Sequence, residues 1–81
     1  MAEDAAFLDA PLTPTERRLW DTLRAQPGRV FSRRELVALV MPGTIVEART
    51  IDVHVAGLRK KLSHVAACIR TVWGKGYCYE Q

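Results

Sequence analysis

Eighty-one residues suffice for one domain with a single small core, leaving little room for a linker or a second core. A chain this short buries only roughly 60 to 65% of the surface its unfolded form exposes, which argues against a deep, water-excluding catalytic pocket. The net charge of +3 conceals an asymmetry. Glu3, Asp4 and Asp9 give the first ten residues −3, so the rest, with all 12 Lys and Arg against six acids, carries +6. Such an excess fits a polyanion as partner, nucleic acid being the commonest, or simply a solvated basic surface.

Cys68 and Cys78 form neither a C-x-x-C pair nor a disulfide framework, so free thiols in a reducing cytoplasm are the simplest reading. No zinc site can be completed and no cofactor is expected. The N-terminus has no basic n-region or apolar h-region of a signal peptide. The longest apolar stretch, Leu36 to Met41, is too short to span a bilayer, so no membrane partner is expected.

Residues 1–11 form an acidic, Ala-rich segment in which Ala5 to Leu8 reads equally as a short edge strand or as part of a disordered arm. The first helix is predicted over about 14 to 26. Thr13-Pro14-Thr15-Glu16 is a capping box with proline at N1, and Leu12 stands where a staple residue belongs. Leu19, Trp20 and Leu23 make its buried side, and Gln26-Pro27-Gly28 stops it. Val30 and Phe31 read as a short extended pair. Ser32-Arg33-Arg34-Glu35 is a second capping box, opening a helix whose apolar face is Leu36, Val37, Leu39 and Val40 and which Pro42-Gly43 breaks.

The third helix is predicted from about Glu47 or Ala48 to about Ser63. Ile51, Val55, Leu58 and Leu62 recur at spacings of 4, 3 and 4, one apolar stripe on a helix. Its other side carries Arg49, Thr50, Asp52, His54, Arg59, Lys60 and Lys61, with the two lysines in the last turn where cations suit the helix dipole. Gly57 lies off the stripe and is read as standing on the side free to approach a ligand. The period then changes: Ile69 to Val72 and Tyr77 to Tyr79 are β-type runs around the turn Trp73-Gly74-Lys75-Gly76. The expected fold is α+β, mainly α: three helices plus a C-terminal β-hairpin, the winged helix-turn-helix arrangement, over residues 12–81.

Helix 3 (RTIDVHVAGLRKKL), the hairpin (IRTVWGKGY) and the opening LTPTE followed by PGRVFSR together resemble the DNA-binding effector domain of OmpR/PhoB-type response regulators. The resemblance runs from about Leu12 to Tyr79. It implies that Arg49, Thr50, Val53, His54, Arg59 and Lys60 lie on the recognition helix, at bases or flanking phosphates. It places Arg33 at a phosphate-binding helix N-terminus. It places Thr71, Gly74, Lys75 and Tyr77 in the wing, along the backbone or in the minor groove. Arg can pair bidentately with guanine, and Val53 can touch a thymine methyl group.

The implied function is a sequence-specific DNA-binding transcriptional regulator, with helix 3 in the major groove and a homodimer or partner regulator reinforcing a small module. The alternative is an interaction module docking on RNA polymerase or another regulator; the loop Met41–Thr44 is where the family meets the polymerase. No enzyme is expected, because no paired carboxylates near a His and no glycine-rich phosphate loop are present. Such domains usually follow a four-stranded sheet and a receiver, and only about a dozen residues precede Leu12. Taken singly, Arg33, Arg34, Lys60 and Lys61 also fit a solvated face. Trp20, Phe31 and Tyr79 read as core, Cys68 as a small core residue and Cys78 as an ordinary strand residue. Trp73 either packs under the wing or touches DNA. Asp52 is read as orienting Arg49 or Arg59, or as accepting from a cytosine amine.

Overall fold

The computed structural model describes residues 11–81; the alternatives raised for Ala5 to Leu8 lie outside them. Three helices come first: α1 (Pro14–Ala25), α2 (Arg33–Val40) and α3 (Thr50–Lys61). A kinked 3-10 segment over Ser63–Cys68 then leads into an antiparallel hairpin of β1 (Ile69–Val72) and β2 (Gly76–Tyr79). This is the winged-helix order expected.

Both capping boxes form. The Glu16 amide donates to Thr13 Oγ1 at 3.1 Å and the Thr13 amide to Glu16 Oε1 at 2.9 Å. At α2 the Glu35 amide donates to Ser32 Oγ at 3.0 Å and the Ser32 amide to Glu35 Oε1 at 2.9 Å. Each box satisfies amides that a helix N-terminus otherwise leaves unpaired. The bond from the Ser32 backbone is the largest influence on the Glu35 carboxyl, which titrates below its ordinary value. Helix α3 begins differently. Arg49 at its cap lies in helical φ/ψ and gives no side-chain cap bond. The amides of Thr50, Ile51 and Asp52 reach back three residues to the carbonyls of Glu47, Ala48 and Arg49. That turn takes up the residues expected at the helix start, so regular α3 opens at Thr50 rather than at Glu47 or Ala48.

The stripe on α3 is the centre of the core. Ile51, Val55 and Leu58 are buried, with Leu62 below them, against Leu19, Trp20 and Leu23 of α1 and Leu36 and Val40 of α2. Each such side chain contributes about 1.5 to 3 kcal/mol when fully buried, which far exceeds what any exposed charge pair supplies. Leu39 departs from expectation: it lies half exposed, because the short α2 turns Leu36 and Val40, and Val37 in part, to the core and Leu39 away from it. Trp20 meets Tyr79 edge-on with ring centroids 5.6 Å apart, closing the hairpin onto α1. Cys78 is a strand residue as expected and is also buried, whereas Cys68, at the end of the 3-10 segment, is less buried than a core residue would be. Burial pushes the Cys78 thiol above its ordinary value, and the Glu80 carboxylate adds to the shift.

Two further contacts matter, one seating α3 and the other β2. On the α1 side of α3, Glu16 is only 5% exposed, and its carboxylate accepts from Lys61 Nζ at 2.8 Å. Lys61 also donates to the Pro11 carbonyl at 3.0 Å, so it is a structural partner and not part of a solvated face. Burial alone would raise the Glu16 carboxyl; the Lys61 ammonium and the Thr13 amide outweigh it and hold the group below its ordinary value. Gly57 faces this carboxylate: a Cβ there would come within 2.5 Å of Glu16 Oε2. The side of Gly57 read as open to a ligand is therefore occupied by Glu16.

At β2, Phe31 and Tyr77 exchange backbone hydrogen bonds of 2.8 and 3.0 Å, and the Gly28 amide donates to the Tyr79 carbonyl. The extended pair expected at Val30-Phe31 thus lies along β2. This approach depends on Gly76, which has φ +151° and whose missing Cβ would fall on the Phe31 carbonyl. A side chain is excluded there by both conformation and space.

Candidate nucleic-acid interface

Opposite the buried stripe of α3 runs an exposed row at the same spacing: Arg49, Val53, Ala56 and Lys60. Val53 is 70% exposed, and a bare valine on a cationic face is the kind of group that can meet a thymine methyl. Arg49 stands free of the core and pairs with Glu47 at 2.7 Å, a contact so exposed that solvent and salt weaken it. Thr50 and His54 flank this row and are partly covered.

The wing is joined to α3 by Arg59. Its guanidinium donates to the Ile69 carbonyl and, at 2.9 Å, to Thr71 Oγ1, and it lies 5.7 Å from the Tyr77 ring centroid. Arg59 and Thr71 are therefore engaged with each other. Tyr77 is buried, and its hydroxyl donates to Asp52 Oδ1 at 2.6 Å. Burial raises the Tyr77 hydroxyl above its ordinary value, and the bond to Asp52 raises it further. The same Asp52 oxygen accepts from Arg33 Nε at 3.0 Å, where α2 begins. Asp52 therefore orients Arg33, not Arg49 or Arg59 as the sequence reading had it. The pairing joins residues 19 positions apart on two helices, and no local spacing announces it.

At the hairpin tip the Lys75 amide closes a turn onto the Val72 carbonyl at 2.9 Å, with Gly74 at φ +78° as a type II turn requires at its third position. Trp73 and Lys75 project from this tip. Trp73 is 87% exposed, which removes the alternative in which it packs under the wing. The tip and the start of α2 face each other across one cleft lined by Ser32, Arg33, Arg34, Ala48, Trp73 and Lys75. Three cations and an exposed indole thus gather beside the outward row of α3, with backbone amides of a helix N-terminus among them. The arrangement can hold phosphate oxygens. Ser32, Arg34 and Ala48 are cleft residues without an expected binding role, and Trp73 takes the second of its two expected places, exposed at the wing tip. Among the described residues, no group of three or more His, Cys, Asp or Glu stands together as metal ligands, and no helix is long and apolar enough to cross a membrane.

Comparison with known proteins places this geometry. The family described as "Transcriptional regulatory protein, C terminal" matches residues 9–79. The phosphate regulon transcriptional regulatory protein PhoB of Rhizobium meliloti (strain 1021) is 51% identical over 72 residues, covering 85% of this chain and 32% of that protein. Transcriptional regulatory protein BaeR of Escherichia coli O6:H1 is 47% identical over 73 residues, covering 85% and 30%. The chain spans about a third of the length of these curated relatives. Among solved structures, the DNA-binding domain of the response regulator AdeR in complex with an intercistronic region superposes with a TM-score of 0.81. It is 35% identical, over 89% of this chain and 74% of that one. The DNA-binding domain of Klebsiella pneumoniae RstA in complex with the RstA box gives 0.74 at 28% identity, over 88% and 74%.

Proposed function

The chain belongs to the family of transcriptional regulatory protein C-terminal domains, and on that premise we propose that it is a sequence-specific double-stranded-DNA-binding module of a transcriptional regulator. The outward row of α3 enters the major groove. Arg49 and Val53 meet base edges, with Thr50, His54 and Lys60 on bases or flanking phosphates. The wing tip, Gly74 and Lys75 with Trp73, follows the adjacent backbone or minor groove. Arg33 and Arg34 hold phosphates from the start of α2. Arg59, Thr71 and Tyr77 set the angle between α3 and the wing and stay bound within the protein.

The observation that carries this reading is the cleft. Arg33, Arg34 and Lys75 converge there beside an α3 face that carries no core side chain. Support also comes from AdeR and RstA, similar domains whose structures contain DNA.

The test is selection of bound duplexes from a random pool, followed by titration of the enriched sequence against salt. The expected result is an enriched motif and a log K versus log salt slope of roughly −4 to −5, as about five phosphate contacts would give. Arg49→Ala should then weaken the selected duplex more than a random one. Equal losses on both would show that Arg49 does not read bases.

A second reading is favoured by one observation. Ile45, in the loop after α2, is fully exposed. An isolated apolar side chain on that loop suits a protein partner, RNA polymerase or a companion regulator, and a second bound copy would reinforce a small module. Failure of the selection to enrich any sequence, with retained binding to polymerase, would establish this reading instead.

A further inference from the structure

Asp52 is an acid in the first turn of α3, on the side where a polyanion is expected. Two contacts explain its presence. Tyr77 donates to Oδ1 at 2.6 Å from β2, and Arg33 donates to the same oxygen through Nε at 3.0 Å from α2. The two donors are unequal. Tyr77 is only 6% exposed, and its backbone is bonded on both sides to Phe31, so its hydroxyl is a fixed point. Arg33 is half exposed, on a long side chain that would otherwise sample many rotamers. The carboxylate transfers the rigidity of the buried tyrosine to the exposed arginine.

The atom used matters. A guanidinium carries five N–H donors in one plane. Holding Nε fixes that plane and leaves the donors on both terminal nitrogens for two parallel bonds to phosphate oxygens. Arg33 lines the cleft beside Arg34 and Lys75, where the proposed function already places the DNA backbone.

We propose that Asp52 and Tyr77 are positioning residues that present the Arg33 guanidinium to one DNA phosphate. The inference rests on the DNA-binding reading and deepens it. Charge alone argues for the opposite effect, because a carboxylate beside a phosphate repels it. Orientation and repulsion differ in sign, so binding measurements separate them.

The experiment uses the full chain and a fluorescein-labelled pool of random-sequence duplexes, titrated by anisotropy over a range of salt concentrations. Random duplexes report the phosphate contribution without needing the target sequence. Asp52→Ala should weaken binding a few-fold to about tenfold and reduce the magnitude of the salt slope by about 0.9, the change also expected of Arg33→Ala. The double variant should be no weaker than Arg33→Ala alone, because Asp52 acts only through Arg33. Asp52→Asn keeps an acceptor oxygen and should recover most of the affinity. Tyr77→Phe keeps the ring in the core and should show part of the Asp52→Ala loss. Circular dichroism melting confirms that each variant is folded.

Tighter binding by Asp52→Ala with a steeper slope would overturn the proposal and make Asp52 an electrostatic brake. Losses that add in the double variant would also overturn it. An Asp52→Ala variant equal to a binding-competent wild type would overturn the positioning role alone. A wild type without salt-dependent binding to the random or the selected duplexes would overturn the DNA reading as well.

Discussion

Helix α3 is held on its two flanks by different kinds of polar contact. Towards α1 it offers Lys61 to a carboxylate, Glu16, that is almost wholly enclosed. Towards the wing its Arg59 is held by the Ile69 carbonyl and Thr71 and its Asp52 by the buried Tyr77 hydroxyl, while the same Asp52 also pairs with Arg33, which is half exposed. An enclosed charge that loses its partner has no water to turn to, so the α1 flank carries stability. Half-exposed charges exchange partners at small cost, so the wing flank is suited to meeting a ligand. The difference teaches where to look for function on a basic domain. On the α1 side the fold encloses the charge pair, whereas on the wing side it ties down Arg59 and leaves Arg33 half exposed.

The largest expected effect tests the exception on the wing flank, where backbone approach and not charge is decisive. Gly76→Ala places a Cβ on the Phe31 carbonyl and forces a positive φ on alanine. It should destabilise the fold by about 3 kcal/mol or more in urea unfolding. A loss below about 1 kcal/mol would mean that the Phe31–Tyr77 bridge is dispensable.

Next comes the α1 flank itself. Lys61→Met removes the ammonium from Glu16 and should cost about 2 to 3 kcal/mol. That lies below the figure for a fully enclosed pair, because Lys61 remains about a third exposed. The pH dependence has a definite sign. The folded Glu16 carboxyl titrates below its ordinary 4.5, so its stabilisation is present above that pH and is lost as the pH falls through the folded value. Glu16→Gln should flatten this acid limb of the stability profile. An unchanged acid limb would show that other carboxyls govern it.

A smaller effect sharpens the comparison by reversing sign. Gly57→Ala should destabilise the wild type by about 1 kcal/mol. The new Cβ displaces a carboxylate pinned by Thr13 and Lys61, and that cost exceeds the gain in helix propensity. In a Glu16→Ala background the obstacle is gone, and the same change should stabilise by up to about 1 kcal/mol. The same sign in both backgrounds would disprove the contact.

Smallest is the alkaline limb. Tyr77 titrates above its ordinary 10.0, so its contribution is complete below that pH and declines as the pH rises through the folded value. Tyr77→Phe should remove this decline and lower stability at neutral pH by less than about 1 kcal/mol, for the lost bond to Asp52.

Much of the fold could be read from the chain because its signals are local. Two capping boxes start α1 and α2, and a 4-3-4 stripe marks α3. A Gly-rich turn between two β-type runs marks the hairpin. The errors have a common origin. Helical spacing places Gly57 off the stripe, but spacing does not say that Glu16 stands there. Leu39 is apolar and invites a core assignment, although α2 is too short to bury more than one narrow face. Cys68 falls short of a core position because a 3-10 segment, which no local pattern announces, carries it to the edge of the core before β1. In the site, Arg49, Val53 and Lys60 are exposed as the helical spacing indicates and Lys75 as its place in the turn indicates, whereas Asp52 finds its partners through tertiary packing.

By itself the sequence determined the elements and the faces they present, since helix caps, apolar stripes and tight turns are decided by residues three or four apart. Only the tertiary structure decided which charges are consumed and which stay available. Lys61 and Lys60 are neighbours in sequence and alike in chemistry, yet one is tied to Glu16 and the other faces solvent. A rotation of about 100° per residue separates their environments, and what lies at each angle is set by the packing of α1 and the wing around α3.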